Sequence, residues 1–470
     1  MASCPRPTVA ATREGTTTVR APGALPLVGH TVRLARDPLG FLQARHGGAP
    51  VVELRFGTGR VQLLTRPDVV REVLVTGHRS YDKGGPIIEG ARTLFGNGLG
   101  TCPREQHRRQ RPMLQPAFRP SRLAGYSPTM QLCAEEIAGK WQDGQVLDVG
   151  RQMNRIAARV LMRTLASGDA ASTAVRQVEE FLPTLMSTAF RRVAVPWAWP
   201  HELPLPSNRR YRRADTAVRA SIDATIAEYR RAGAPGDDLL GHLVGARDEA
   251  GTELSDQEIH DQIKIMLIAG IETTATALSW TFHVLGRQPE IERRVYAELD
   301  AELDGRPPTG DDLARLPYLT RVLTETLRVY PTVPLLSRVA TADVALGGRE
   351  FPAGTEFFFS PYCLHRDPGA FPEPERFDPD RWLSERVGAA QRLAFIPWGA
   401  GPRKCIGDTY SLIEASLALA TILTTWRLRP IATAKVTPTV RFSLHPTGLR
   451  MTAERRPARH RGSGLDIEAA

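Results

Sequence analysis

The chain has 470 residues, 42% of them apolar, and a formal net charge of +10. That apolar share supports a large packed core and excludes a disordered or collagen-like chain. Cationic clusters at Arg108–Arg109–Arg111, Arg209–Arg210–Arg212–Arg213 and Arg455–Arg461 carry no interleaved aromatics and no recognition motif, so nucleic acid is not the expected partner; steering an acidic redox protein suits them equally well.

The five cysteines, at positions 4, 102, 133, 363 and 405, are odd in number and have neither zinc nor redox-pair spacing. A reducing, cytoplasmic setting is expected. Size alone would predict roughly three domains, but no linker or charge block divides the chain. The expected organisation is a loose tail over residues 1–20, one domain over 21–454 and a basic tail over 455–470.

Along the chain, residues 21–29 form a proline-stiffened lead-in, and residues 51–56 and 61–65 flank Gly-Thr-Gly-Arg as a hairpin. From about 105 to 300 the pattern is helical, with breaks at 196–206 and 233–236. Helical pattern continues over 318–330, followed by short strand-like segments at 344–346, 356–359 and 440–444. The fold class expected is mainly α with small peripheral β-sheets. Lys264 and Glu272 interrupt the apolar run 263–285, and Glu414 interrupts 411–426, so no membrane span is expected.

Within the run 263–285 lies Ala269-Gly270-Ile271-Glu272-Thr273-Thr274. A mid-helix glycine costs about 1 kcal/mol against alanine, so a weakened buried helix implies a purpose. Ala269, Thr273 and Ala277 share a face and leave a small notch. The Thr273 hydroxyl can bond back to the Ala269 carbonyl or turn to a ligand, with the Glu272 acid next to it in sequence. Further on, Glu325 and Arg328 are spaced to pair on one helix face. His365-Arg-Asp-Pro reads as a capping loop.

The most informative segment is Trp398-Gly-Ala-Gly401-Pro-Arg403-Lys-Cys405-Ile-Gly407. It sets one thiol behind two cations and ahead of an apolar helical run, which should ease its deprotonation. Gly401 and Gly407 should let the backbone lie against something large and flat. A thiolate presented in this way is the proximal ligand a haem oxygenase requires.

The segment resembles the cysteine-ligand loop of the cytochrome P-450 family, Phe-x-x-Gly-x-Arg-x-Cys-x-Gly, with Trp398 in the place of Phe. An indole there either donates to sulfur or packs beneath the porphyrin. The resemblance covers residues from about 22 to 450. It implies a helix-rich triangular prism holding haem b between the central helix and Cys405, the axial iron ligand. It implies an acid–threonine pair in Glu272 and Thr273, and propionate contacts from His107, Arg111, Arg338 and Arg403. It also implies a structural network joining Glu325 and Arg328 to Arg376. The implied reaction inserts one atom of O2 into a C–H bond, with NAD(P)H electrons arriving through ferredoxin reductase and ferredoxin.

Residues 81–86, 96–102 and 107–118 look similar to bacterial sesquiterpene oxidases of the pentalenene-oxidising kind. By position, the substrate-facing segments are 87–95, 181–190, 269–273, 332–336 and 443–447, including Ile87, Phe95, Ala269, Leu335 and Leu336. Their apolar character suits a small hydrophobic terpenoid. A fatty acid would call for a cationic anchor, which Lys83, Arg92 or Arg191 could supply. A peroxide-driven or non-oxygenase haem-thiolate enzyme and a haem sensor are the other readings.

Overall fold

The computed structural model describes residues 19–57, 59–166, 205–232 and 238–457, with isolated positions between 177 and 203. In chain order the strands are β1 (Val51–Phe56), β2 (Gly59–Leu64), β3 (Tyr81–Asp82), β4 (Val146–Asp148), β5 (Leu336–Ala340), β6 (Val344–Leu346) and β7 (Arg349–Phe351). After them come β8 (Glu356–Phe359), β9 (Trp426–Pro430), β10 (Thr437–Val440), β11 (Leu444–Thr447) and β12 (Arg450–Arg455). The longer helices are α1 (Gly85–Phe95), α2 (Arg104–Leu114), α3 (Pro120–Ala138), α4 (Val149–Leu165) and α5 (Pro206–Ala232). They continue with α6 (Asp256–Arg287), α7 (Pro289–Leu303), α8 (Pro317–Val329) and α9 (Asp408–Thr425).

Helix α6 is the axis of the molecule. A capping box starts it: the Ser255 hydroxyl accepts from the Glu258 N–H at 3.2 Å, and the Glu258 carboxylate accepts from the Ser255 N–H at 2.9 Å. Leu267, Ile271, Leu278 and Phe282 then bury against Leu161 of α4, Leu323 of α8 and Leu417 of α9 in one continuous core. A helix that is apolar around most of its circumference belongs in a core or a membrane. Here 61% of its most apolar window is buried inside the protein, which makes it a core helix.

The largest sheet has the order β1-β2-β8-β5-β3, with the β1–β2 hairpin antiparallel and β2 running parallel to β8. Smaller sheets join β4-β12-β9, β10-β11 and β6-β7. Helices dominate and the sheets sit apart from one another, as expected. The exceptions have local causes. The segment 440–444 is not a strand but the closed end of the β10–β11 hairpin, where Val440 pairs with Leu444. β4 interrupts the helical block because buried Leu147 pairs with Met451 of β12. Trp426 opens β9 rather than ending a helix, its indole donating to the Ala138 carbonyl at 3.0 Å. Arg20 is ion-paired with Glu53 at 3.4 Å, and Arg455 lies in β12, so ordered chain reaches into both expected tails. Residues 1–18, 233–237 and 458–470 lie outside the described residues.

A buried ion pair organises the C-terminal half. Glu325 and Arg328 of α8, both fully buried, meet through two hydrogen bonds at 2.8 and 2.9 Å. The guanidinium also donates to the carbonyls of His365, Pro374 and Arg376 at 2.9, 2.7 and 3.0 Å. The carboxylate accepts from the Trp382 indole at 2.9 Å and from the Asp378 N–H at 3.0 Å. Arg376 therefore joins the network through its backbone, not through the side chain expected to do so. The tight turn in which the Arg376 N–H donates to the Glu373 carbonyl sends the guanidinium outward, 3.1 Å from the Glu373 carboxylate, and Arg381 takes the inner place, 3.5 Å from Glu325.

His365 caps the short helix Pro361–Leu364, as expected, and its ring does more. Its Nδ1–H donates to the Arg328 carbonyl at 3.2 Å and its Nε2 accepts from the Ile396 N–H at 3.0 Å, linking the ion pair to the chain that runs into the Cys405 loop. Burial and the neighbouring Arg328 push its imidazole down to about 3.

Glu325→Ala should destabilise the protein by about 3–5 kcal/mol in urea unfolding, because it strands a buried guanidinium. Arg376→Ala should stay within about 0.5 kcal/mol. The unfolded chain protonates His365 near pH 6.5 and the folded one near 3, so its contribution is complete above pH 6.5 and declines as pH falls towards 3. In that window His365→Gln should flatten the pH slope of stability by up to about 1.4 kcal/mol per pH unit.

Candidate active site

The Cys405 loop is shaped by close backbone contacts. Gly399 and Gly401 have positive φ angles of 71° and 68°, a region costly for other residues. A Cβ on Gly401 would collide with the Leu74 carbonyl, so this glycine answers to a protein neighbour. At Gly407 an added Cβ would come only within 3.8 Å of the Phe118 ring, an ordinary contact. The Cys405 N–H donates to the Trp398 carbonyl at 3.0 Å, and α9 starts at Asp408. Trp398 reaches Cys405 through that carbonyl, while its ring stands edge-on to Phe395 at 6.4 Å.

The Cys405 side chain has accessible surface, yet protein encloses it so closely that burial dominates its ionisation. Such a thiol faces a cleft inside the molecule. Burial raises its pKa; the Gly407 N–H pulls it down, Asp408 raises it, and Lys83 and Arg111 lower it. The expectation of easy deprotonation is thus corrected for the protein alone. A coordinated metal cation, by contrast, removes a thiol proton outright.

On α6 the same signature recurs. Ala269 is exposed in the middle of a core helix, and Thr273, one turn on, is half-buried. The Thr273 hydroxyl donates to the Ala269 carbonyl at 2.6 Å. Gly270 has a packing reason: a Cβ there would come within 3.1 Å of Leu161 on α4. Glu272 is buried and turned from Thr273, as adjacent helical residues are. It accepts from the Ser443 hydroxyl at 2.7 Å and lies 2.8 Å from His445 Nε2, both on the β10–β11 hairpin.

The segment 96–102 ties α6 to the Cys405 side of the cleft. Its Asn97 and Leu99 N–H groups donate to Asp261 and Gln262 of α6, each at 2.8 Å. Lys83 donates to the Gly100 carbonyl at 2.6 Å, and Arg403 to the Cys102 carbonyl at 3.0 Å. Gly96, with φ 77°, leaves room for the Asp261 carboxylate.

Around this segment cations outnumber their counter-charges. Arg403 pairs with Asp82 at 2.5 Å, Arg111 donates to the Lys404 carbonyl at 2.6 Å, and buried Arg338 donates to the Ser337 carbonyl at 2.7 Å. Burial and its cationic neighbours push Arg338 down to about 10, Lys83 to about 7 and His107 to about 3. Each is lowered by Arg403, and Asp82 alone opposes the shift at both His107 and Arg338. Desolvated cations crowded in this way fit a ligand with more than one carboxylate. With an enclosed thiol, the donor set fits haem.

A family model for cytochrome P450 matches residues 19–453. The chain belongs to the cytochrome P-450 family. Cyclooctatin synthase of Streptomyces melanosporofaciens is 44% identical over 95% of this chain and 97% of its own. Pentalenene oxygenase of Streptomyces avermitilis is 41% identical over 92% and 96%. A crystal structure of a P-450 haem domain superposes with a TM-score of 0.84 at 28% identity, covering 94% of this chain and 98% of that one. The protein is a haem-thiolate cytochrome P-450 monooxygenase with this family's fold.

Of the expected substrate residues, Phe95 lines an apolar cavity with Leu94, Tyr211, Val218, Leu267 and Ile268. Ile87 lies on α1 at 38% exposure. Leu335 and Leu336, both half-buried, pack against the sheet-side clusters around Phe358 and Phe359, where the chain enters β5. The segment 181–190 lies almost wholly outside the described residues. Sequence reading missed Ser443 and His445 as partners of Glu272. It also missed Glu414, whose burial holds its carboxyl well above the usual range while one oxygen accepts from Thr274 at 3.4 Å. A glutamate in the middle of an apolar helix was the available signal for the last.

Gly401→Ala should lose most of its haem on purification, through a backbone shift and about 1–3 kcal/mol of strain, whereas Gly407→Ala should retain it. The ratio of haem to protein absorbance distinguishes the two outcomes. Arg338→Ala should lower haem retention without abolishing the thiolate spectrum.

Proposed function

We propose that the enzyme inserts one oxygen atom from O2 into a C–H bond of a compact, apolar terpenoid. The observation that carries this reading is that, among the described residues, the candidate anchors for a carboxylate are already engaged by the protein. Lys264, on the cavity lined by Phe95, is paired with Asp215 at 2.6 Å. Arg92 donates to the Thr101 carbonyl at 2.7 Å and the Lys83 carbonyl at 3.2 Å, while Lys83 sits among the rim cations. Arg191 lies outside the described residues. Two of the three candidate fatty-acid anchors thus hold the protein to itself. The relatives point the same way: besides pentalenene oxygenase, a cyclooctat-9-en-7-ol 5-monooxygenase is 43% identical over 88% of this chain and 90% of its own.

In this reading Cys405 ligates the iron. His107, Arg111, Arg338 and Arg403 hold the propionates, joined by Lys83. Bound haem supplies oxygen activation and insertion. Ala269 leaves space beside the cofactor and Thr273 offers a hydroxyl there. Glu272 is the acid that passes protons on, and the apolar cavity orients the substrate and excludes water. Electrons come from NAD(P)H through a ferredoxin and its reductase, meeting the Cys405-loop side of the protein, where Lys404 is exposed, in the cytoplasm. A salt-sensitive ferredoxin affinity follows from that docking.

Turnover of pentalenene or cyclooctat-9-en-7-ol under ¹⁸O2 should yield a product carrying one labelled oxygen. Labelled fatty-acid product in place of terpenoid product would overturn the substrate class. Thr273→Ala should keep the haem spectrum while diverting severalfold more reducing equivalents to peroxide; unchanged coupling would remove Thr273 from proton handling.

A further inference from the structure

Glu272 is not left to itself beside Thr273. Its Oε1 takes the Ser443 hydroxyl at 2.7 Å and His445 Nε2 at 2.8 Å, and those two partners are 2.9 Å apart. On the far side of the ring, Nδ1 lies 3.3 Å from the Thr276 hydroxyl, one helical turn beyond Glu272. The arrangement specifies a tautomer. Ser443 donates to the carboxylate, so the Nε2–H points at Oε1 and the Ser443 oxygen, and Nδ1 accepts from Thr276.

The triangle is held firmly. The Trp280 indole of α6 donates to the Leu444 carbonyl at 2.6 Å, between Ser443 and His445, and the Leu444 N–H donates to the Thr332 carbonyl at 3.0 Å. Trp280 itself stacks on Tyr330 at 3.8 Å. Exposure grades outward: Glu272 keeps 10% of its side chain open and His445 keeps 25%.

We propose that His445 is the proton entry for Glu272, with Ser443 fixing the carboxylate that receives the proton. A proton arrives at Nδ1, by way of Thr276 or water, as the Nε2 proton passes to Oε1 of Glu272. The ring is left as the Nδ1–H tautomer and returns to Nε2–H by exchange with water. The β10–β11 hairpin, expected only to face substrate, thereby delivers protons to Glu272, the acid of the acid–threonine pair. This role rests on the oxygenase reading above; the tautomer does not.

The test has two arms. Long-range ¹H–¹⁵N spectra of ¹⁵N-histidine-labelled holoenzyme, assigned with His445→Gln, should show neutral His445 protonated at Nε2, and the signal should change in Glu272→Gln. An Nδ1–H tautomer, or indifference to Glu272→Gln, overturns the proposal without touching the oxygenase reading. In turnover, His445→Ala should keep haem content and KM while kcat falls roughly ten-fold, less than the roughly 10²–10⁴-fold of a placed acid because water can substitute. His445→Gln keeps a donor near the Nε2 position but has no basic nitrogen to relay a proton, and should stay as slow as His445→Ala. A fully active His445→Gln would show that the ring only positions Glu272 and would overturn the proposal; a slow one with an intact spectrum supports it. If instead the unaltered enzyme consumes no O2, the oxygenase reading fails, whatever the tautomer.

Discussion

The interaction on which the rest depends is the buried pair between Glu325 and Arg328. An ion pair without solvent is stable only when its remaining donors and acceptors are used, and here the backbone uses them. Three carbonyls on Arg328, with an indole and an N–H on Glu325, draw residues 365–382 around the end of α8. From that knot His365 reaches Ile396, and the chain goes on to Gly401, pressed against Leu74, and to Cys405. The thiol's position is thus inherited from a charge pair that does no chemistry. Arrangements of this kind hold a reactive group still, which is what preorganisation requires.

The opposite wall is built by different means. α6 is placed by apolar packing, and its one open face falls at Ala269 and Thr273. Segment 96–102 joins the walls, with N–H groups on α6 side chains and carbonyls on the cations of the rim. Those cations repel one another in a poorly solvated place. In the proposed reading the two haem propionates would pair with them.

Much of this was legible in sequence because the informative residues are chemically expensive. A glycine in an apolar helix, a lone cysteine among glycines and a Glu-x-x-Arg pair each need a reason, and each lies where that reason operates. Motif position fails where side-chain direction decides. Arg376 occupies the expected place, yet a tight turn points it outward and Arg381 serves instead. Glycine, too, was read too simply: Gly270 and Gly401 serve protein contacts with Leu161 and Leu74. The Glu272–His445 contact joins residues 173 positions apart, and no local pattern could announce it.

The most direct measurement is the absorption spectrum of the reduced, CO-bound holoprotein, recorded alongside its Cys405→Ser variant. Thiolate ligation predicts the strongly red-shifted Soret band in the parent and its complete loss in the variant. A parent band at the position typical of nitrogen-ligated haem, or a red-shifted band that survives in Cys405→Ser, would contradict the account at its centre.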